Sequence, residues 1–257
     1  MQSPSGFTLF SSIFKSPPKW WDNFYQYLIR NKVDTQLLNK IYQARTESEI
    51  ALSRTERVLF VRHLLQNERW NEANFIWLSG LDEQKLELSG LIFDGGFEGS
   101  DFNSGFDWQI GRSKGMRINT SNTTGAKGRR ALRVLFNNKK INFRHVSQRL
   151  TLSPGNYILD YRYRLNRLKN PEGLSWRIRC IGGEKRSDPV FESIALKGRS
   201  AWEEISAKFT VPTNCPVQLI RLEASSRFAH KHTFNGSIWF DDINIKRNAE
   251  NIAEQPQ

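Results

Sequence analysis

Apolar and polar residues alternate with a period of two through most of the chain after residue 130. Leu132, Val134 and Phe136 form one such run. Further runs lie at 146–152, 157–165, 174–180, 203–211, 217–224 and 237–246. Turn sequences separate them, among them Ser-Pro-Gly-Asn at 153–156 and Asn-Gly at 235–236. Many short alternating strands without a helical interruption predict a mainly β fold, namely a jelly-roll β-sandwich.

The first 80 residues follow a helical period instead. Residues 20, 21, 24, 25, 28 and 29 are apolar, which is the i, i+3, i+4 spacing of an amphipathic helix. Three more helices are predicted near Asp34, near Thr55 and from Trp70 to Gly80. Trp70, Ala73 and Trp77 loosely resemble a tetratricopeptide-type hairpin, although a plain pair of packed helices explains the same pattern.

These two periods predict the organisation of the whole chain. We expect a disordered or docking arm at 1–16, all-α helical hairpins at 17–80, a linker at 81–90, the jelly roll at 91–247 and a disordered tail at 248–257.

The net charge of +12 is concentrated in the β part. Residues 91–247 hold 27 Lys and Arg against 14 Asp and Glu, whereas residues 1–90 hold 11 against 10. A basic domain attracts anions such as acidic glycans, lipid surfaces or nucleic acid, unless the excess serves only solubility. Nucleic acid is disfavoured, because the arginines are scattered through a sandwich and no RNA-binding motif is present.

Motifs of catalysis and of membrane insertion are missing from the sequence. It has no nucleophile elbow, phosphate loop or dinucleotide fingerprint, and Glu203 and Glu204 face opposite sides of a strand. We therefore expect a protein that is not an enzyme. No apolar run reaches the ~18–20 residues that span a bilayer, and no signal peptide is evident.

An ordered set of short motifs extends over 91–247. They are Leu91-Ile-Phe-Asp-Gly-Gly-Phe-Glu98, Phe106-Asp-Trp108, Ala131-Leu-Arg-Val134, Gln148-x-Leu-x-Leu-x-Pro-Gly-x-Tyr157, Trp202, Phe209-x-Val-Pro212 and Ile238-Trp-Phe-Asp-Asp-Ile-Asn-Ile245. This order resembles the calcium-binding jelly-roll carbohydrate-binding modules of the galactose-binding-like superfamily. With the preceding helices, the chain is similar to bacterial envelope proteins associated with exopolysaccharide production.

The resemblance implies a structural calcium ion that ties the first strand to the last. Glu98 would supply a carboxylate, Gly96 a backbone carbonyl, and Asp242 or its neighbour Asp241 the second carboxylate. Calcium prefers six to eight hard oxygen ligands of this kind. Alternatively, the two aspartates lie at a solvated strand edge.

The two cysteines, Cys180 and Cys215, lie at the ends of predicted strands. They are either unrelated buried thiols or, in a sandwich outside the cytoplasm, a disulfide worth ~2–4 kcal/mol. We expect the disulfide, and with it a periplasmic location or the extracellular face of a bacterial envelope. The signal or anchor would then lie outside this sequence.

Ligand binding is predicted from aromatic rings and arginines. Trp108 and Trp202 lie outside the long alternating runs, so they are candidates for stacking on sugars, although core packing explains them too. Arg162, Arg164, Arg177 and Arg179 lie on the polar sides of two consecutive strands. If these strands pair, four guanidinium groups share one face, which favours an anionic ligand unless acidic neighbours neutralise them.

We therefore expect non-catalytic binding of an acidic envelope or exported polysaccharide, with the helices docking the module to a partner protein. The alternative is a protein–protein scaffold whose sandwich no longer binds sugar.

Overall fold

A computed structural model describes residues 11–31, 33–99, 102–182 and 188–248. The chain divides into two compact units, Met1–Leu81 and Asp82–Gln257. Most of the predicted linker belongs to the second unit. It forms a short helix there, and the Leu88 carbonyl beyond that helix accepts a hydrogen bond from the Asp94 N–H. The predicted tail lies outside the described residues except for Asn248.

The first unit is helical. Its helices are α1 (Ser11–Lys15), α2 (Trp21–Arg30), α3 (Thr35–Thr46), α4 (Arg54–Gln66) and α5 (Trp70–Leu78), and α6 (Glu83–Leu86) opens the second unit. Side-chain caps fix where helices α3 and α4 begin. The Asp34 carboxylate accepts hydrogen bonds from the N–H groups of residues 36 and 37, and Ser53 forms a capping box with Glu56.

Residues 11–15 of the predicted disordered or docking arm are helical, so this part of it is ordered. Phe14 is buried, and its carbonyl accepts a hydrogen bond from Arg45. Arg45 also forms an ion pair with Glu56, buried inside the helical unit. Residues 1–10 lie outside the described residues. None of the described helices is both long enough and apolar enough to cross a membrane.

The second unit is a sandwich of two five-stranded antiparallel sheets. Its strands are β1 (Gln109–Ile110), β2 (Met116–Asn122), β3 (Arg130–Lys140), β4 (Val146–Leu150), β5 (Gly155–Lys169), β6 (Leu174–Cys180), β7 (Phe191–Glu192), β8 (Gly198–Val211), β9 (Gln218–Ala224) and β10 (Thr233–Arg247). The first sheet has the order β1-β4-β9-β6-β7, and the second has the order β2-β3-β10-β5-β8. The long strands from β3 onward alternate between the sheets, which confirms the mainly β, jelly-roll fold.

A bulge in β10 decides which side chains face outward. The register against β5 shifts between Asp241 and Asn244, and Asp242 has a φ of 50°. Ile238 and Ile243 therefore both face the core, although they are five positions apart. Trp239, before the bulge, lies on the outer face of the second sheet.

Candidate functional site

The four predicted arginines do not share one face. Strand β5 lies between β10 and β8 in the second sheet, whereas β6 lies between β9 and β7 in the first. The condition for a shared face, pairing of β5 with β6, is therefore not met, because the turn at residues 170–173 carries the chain from one sheet to the other. The arginines of β5 and those of β6 lie on opposite sides of the sandwich.

We call the outer surface of the first sheet the arginine–glutamate face. It comprises Arg149, Arg177, Arg179, Arg221, Glu192 and Glu223. The strand register places Arg221 beside Arg177, and Arg177 beside Glu192. The short strand β7 therefore adds a carboxylate to a row of cations.

Glu223 lies at the centre of this face and contacts three arginines. Its carboxylate accepts hydrogen bonds from Arg177 Nη1 at 3.0 Å and Arg221 Nε at 2.6 Å, and Arg179 Nη2 lies 3.4 Å away. Burial alone would raise the pKa of Glu223, but the hydrogen bonds and charges of the arginines lower it below its ordinary value. Glu223 is therefore an ionised anchor that fixes three guanidinium groups.

The arginines of this face differ in their accessibility. The Arg177 side chain is only 9% exposed, because it also binds Glu192 and the carbonyls of residues 224 and 225. The side chains of Arg179 and Arg221 are 26% and 25% exposed. Burial lowers the pKa of Arg149, whose Nε has no hydrogen-bond partner among the described residues. Four cations thus meet two carboxylates, which leaves this face positive.

The outer surface of the second sheet carries an alternating row that we call the tryptophan–arginine ladder: Arg133, Trp239, Arg164, Trp202 and Arg162. The Arg133 and Arg164 guanidinium carbons lie 5.0 and 4.3 Å from the centre of the Trp239 ring. Arg164 and Arg162 lie 5.3 and 5.2 Å from the centre of the Trp202 ring. These are cation–π distances.

Three predicted ligand residues, Trp202, Arg162 and Arg164, thus come together in the ladder, which also contains two residues that were not predicted. Trp239 shares sequence parity with Ile243, so sequence parity alone would place it in the core, and only the bulge between the two residues separates their faces. Its position between inward-facing Ile238 and Phe240 is the signal that places it outward. Arg133 could have been found in the same way, since it lies between Leu132 and Val134.

The prediction that Trp108 binds a ligand is wrong. Its side chain is fully buried, and its Nε1 donates a hydrogen bond to the Asp94 carbonyl at 3.0 Å. Its ring packs between Phe97 and Trp176, with ring centroids 5.1 and 5.7 Å away. The residue closes one end of the core.

Two of the predicted calcium donors lie close together. A Cβ atom placed on Gly96 would lie 3.7 Å from Glu98 Cγ and 3.9 Å from Asp241 Oδ1. Asp242 is directed elsewhere, since its carboxylate lies 2.7 Å from Lys127 Nζ. Backbone N–H groups donate hydrogen bonds to one oxygen of Glu98 and to both oxygens of Asp241. Among the described residues, no three Asp, Glu, His or Cys side chains form a metal-binding group. Calcium at this position would therefore need backbone carbonyls besides the two carboxylates.

Cys180, the last residue of β6, and Cys215, which precedes β9, are joined by a disulfide bond. The bond lies at one end of the strand pair that carries Arg177, Arg179, Arg221 and Glu223.

No family model matches the chain, and no curated protein matches it. Several solved structures are similar at low sequence identity. The C-terminal family 22 carbohydrate-binding module of Clostridium thermocellum Xyn10B is 15% identical with a TM-score of 0.41, over 62% of this chain and 94% of that chain. A structure described as family 16 carbohydrate-binding module 2 is 16% identical with a TM-score of 0.40, over 62% and 100%. TmCBM61, in complex with β-1,4-galactotriose, is 15% identical with a TM-score of 0.40, over 62% and 99%.

Proposed function

We propose that the protein is a non-catalytic carbohydrate-binding protein that holds an acidic polysaccharide on the arginine–glutamate face. The observation that carries this proposal is the contact of one buried carboxylate, Glu223, with three arginines. The ordered motifs that resemble carbohydrate-binding modules support a glycan as the source of the anion.

The geometry suits a polymer that carries carboxylate groups. Arginine binds a carboxylate through two parallel hydrogen bonds. The side chains of Arg179 and Arg221 are 26% and 25% exposed, and Glu223 restrains both. Because the guanidinium groups are already ordered, binding costs little conformational entropy. Ser147 lies beside Arg221 in the strand register and supplies a hydroxyl for neutral sugar positions.

Affinity electrophoresis tests this proposal with polygalacturonate as the acidic probe and neutral galactan as the comparison. We expect polygalacturonate to retard the wild-type protein at about 0.15 M salt, where the Debye length is ~8 Å. The double variant R179Q/R221Q should bind at least fivefold more weakly. The matched control R30Q/R62Q removes two exposed charges from the helical unit and should bind like the wild type.

Equal weakening in both double variants would contradict a specific site and indicate a general effect of charge. Absence of retardation by either glycan would favour the alternative function, a protein–protein scaffold.

The helices are proposed to dock the protein to a partner. Three aromatic side chains of the helical unit, Trp20, Tyr27 and Phe75, are 48%, 60% and 70% exposed. An apolar depression of about 480 Å³ beside Phe75 is lined by Tyr42, Phe60, Leu64 and Ile76. Aromatic surface of this kind is typical of protein interfaces.

Two further proposals concern the cellular compartment of the protein and a metal ion bound to the sandwich. The disulfide supports an oxidising compartment, namely the periplasm or the outer face of a bacterial envelope. The convergence of Glu98 and Asp241 at Gly96 supports a structural calcium ion there.

A further inference from the structure

The tryptophan–arginine ladder lies on the side of the sandwich opposite the arginine–glutamate face, and the proposed function does not use it. We propose that the ladder is a second anion-binding site, so that one sandwich holds two acidic polysaccharide chains, one on each outer face. The choice of a polysaccharide rests on the proposed function, whereas the anion site rests on the ladder itself.

The charge balance of the ladder supports an anionic ligand. Arg162 has two acidic neighbours, since it lies 3.1 Å from Glu204 and 3.6 Å from Asp241. Arg133 and Arg164 have no carboxylate partner anywhere in the described ranges. Two cations on one face therefore lack the neutralisation that Glu223 gives on the other face.

These two arginines donate few hydrogen bonds within the part of the protein that the structure describes. Arg164 donates one hydrogen bond, from Nη1 to the Thr124 carbonyl at 3.3 Å. Arg133 donates none to any residue that the structure describes, and its Nε is buried without a partner. The pKa of Arg164 is lowered, first by burial and then by the charge of Arg133. A bound anion would offset both effects.

Trp239 and Trp202 give the ladder its rigidity. Trp239 is 8% exposed, because Arg133 from β3 and Arg164 from β5 lie against it from the strands on either side. The Nε1 atom of Trp202 is tied to the Thr124 carbonyl at 3.0 Å. The rings are thus partly covered and act as spacers for the guanidinium groups more than as stacking platforms.

The spacing of the cations suits a polymer. The backbones of Arg133 and Arg164 are separated by β10, which corresponds to two strand spacings or ~10 Å. Their guanidinium carbons lie 5.0 and 4.3 Å from the centre of the same Trp239 ring, so the two cations are somewhat closer together than the backbones. A chain that crosses the strands of the second sheet would meet these two guanidinium groups in succession, each able to take a carboxylate in the bidentate mode.

The experiment compares the wild type with R133Q/R164Q, R179Q/R221Q, the quadruple variant and the control R30Q/R62Q. Binding is measured by affinity electrophoresis in polygalacturonate. Cross-linking is measured as the turbidity of dilute, long-chain polygalacturonate after protein is added, with short oligogalacturonate as the competitor. Circular dichroism melting verifies that each variant is folded.

We expect each glutamine double variant to be retarded less than the wild type, and the quadruple variant not to be retarded. Turbidity should appear only with the wild type and the control, because each double variant holds a single chain. Short oligogalacturonate should abolish the turbidity.

The other outcomes separate the two sites. If R133Q/R164Q keeps full retardation and turbidity, the ladder is not a site, and the proposed function is unaffected. If R179Q/R221Q keeps full retardation while R133Q/R164Q loses it, the first face fails, and the two-chain inference fails with it. Loss of turbidity in R30Q/R62Q would show that the turbidity reports only general charge.

Discussion

Buried polar side chains in this protein form their hydrogen bonds and ion pairs with residues that are distant in the sequence. The clearest case is Glu56, which accepts hydrogen bonds from Arg45 Nε at 2.8 Å and from Trp21 Nε1 at 2.6 Å. It also accepts the backbone N–H of Ser53 at 2.8 Å. One carboxylate therefore joins α2, α3 and the start of α4.

We predict that the helical unit loses stability in acid because of Glu56. Burial would raise the pKa of Glu56, but the hydrogen bonds from Arg45, Ser53 and Trp21 outweigh it, and the pKa is lowered. The unfolded chain therefore takes up the proton first, and the stabilisation is lost as the pH falls from about 4.3, the ordinary Glu value, through the folded pKa. Helical ellipticity in the full chain, followed during urea unfolding at pH 7 and below pH 4, measures this loss.

The variant E56Q should lower the unfolding free energy at pH 7 by ~3 kcal/mol, because Arg45 is left buried without its counter-charge. The variant should also lose most of the acid dependence. E49Q, an exposed site, is the matched control and should follow the wild type. Equal pH profiles for E56Q and the wild type would show that another group governs the acid response.

At the scale of the strand, β10 controls both proposed features of the second sheet. Its bulge turns Trp239 into the ladder and places Asp241 next to Glu98 at Gly96. Within the described residues, the start of the sandwich and its last strand meet at this point.

We predict that calcium raises the melting temperature of the sandwich and that a chelator lowers it by several degrees. The ion would bridge the carboxylates of Glu98 and Asp241 and so tie two distant segments of the chain together. Differential scanning calorimetry with EDTA, and after calcium is restored, measures the shift. E98Q should no longer respond, whereas D242N should respond like the wild type, because Asp242 points to Lys127. A wild-type melting temperature that EDTA leaves unmoved would disprove the calcium site.

Seven of the ten described strands, β3 to β6 and β8 to β10, were predicted from sequence, because side-chain alternation and turn residues are local signals; β1, β2 and β7 were not. The pairing of β5 and β6 could not be predicted, since the short turn at 170–173 has no feature that distinguishes a hairpin from a crossing between sheets. The bulge at Asp242 could not be predicted for a similar reason. One extra residue exchanges the sides of the sheet that odd and even positions face, without a change in composition. The arrangement around Glu223 depends on β9 beside β6, a contact between distant segments.

At the scale of the whole molecule, the chain is two units of different composition. Both cysteines belong to the sandwich, and 35 positions separate them in the sequence. The helical unit contains no cysteine.

We predict that a reducing agent destabilises only the sandwich. Opening a loop of this length costs ~2–4 kcal/mol, which lowers the melting temperature by roughly 5–15 °C for a unit of this size. In calorimetry, the melting temperature of the sandwich should fall on reduction. The melting temperature of the helical unit, followed by helical ellipticity, should stay unchanged. C180S/C215S should have the melting temperature of the reduced protein, and the reducing agent should not change it. If both transitions move equally, the two units do not unfold independently.

The central place of β10 in its sheet also has a consequence in time. This strand lies between β3 and β5 and contributes Phe234, Ile238 and Phe240 to the core, yet it is synthesised after the other nine described strands. Ribosomes add residues at roughly 5–20 per second, so the second sheet stays incomplete for several seconds after β3 has emerged. The helical unit can fold during that interval, whereas the sandwich waits for its final strand. The second sheet of the nascent chain therefore cannot be completed before residue 247 has been synthesised.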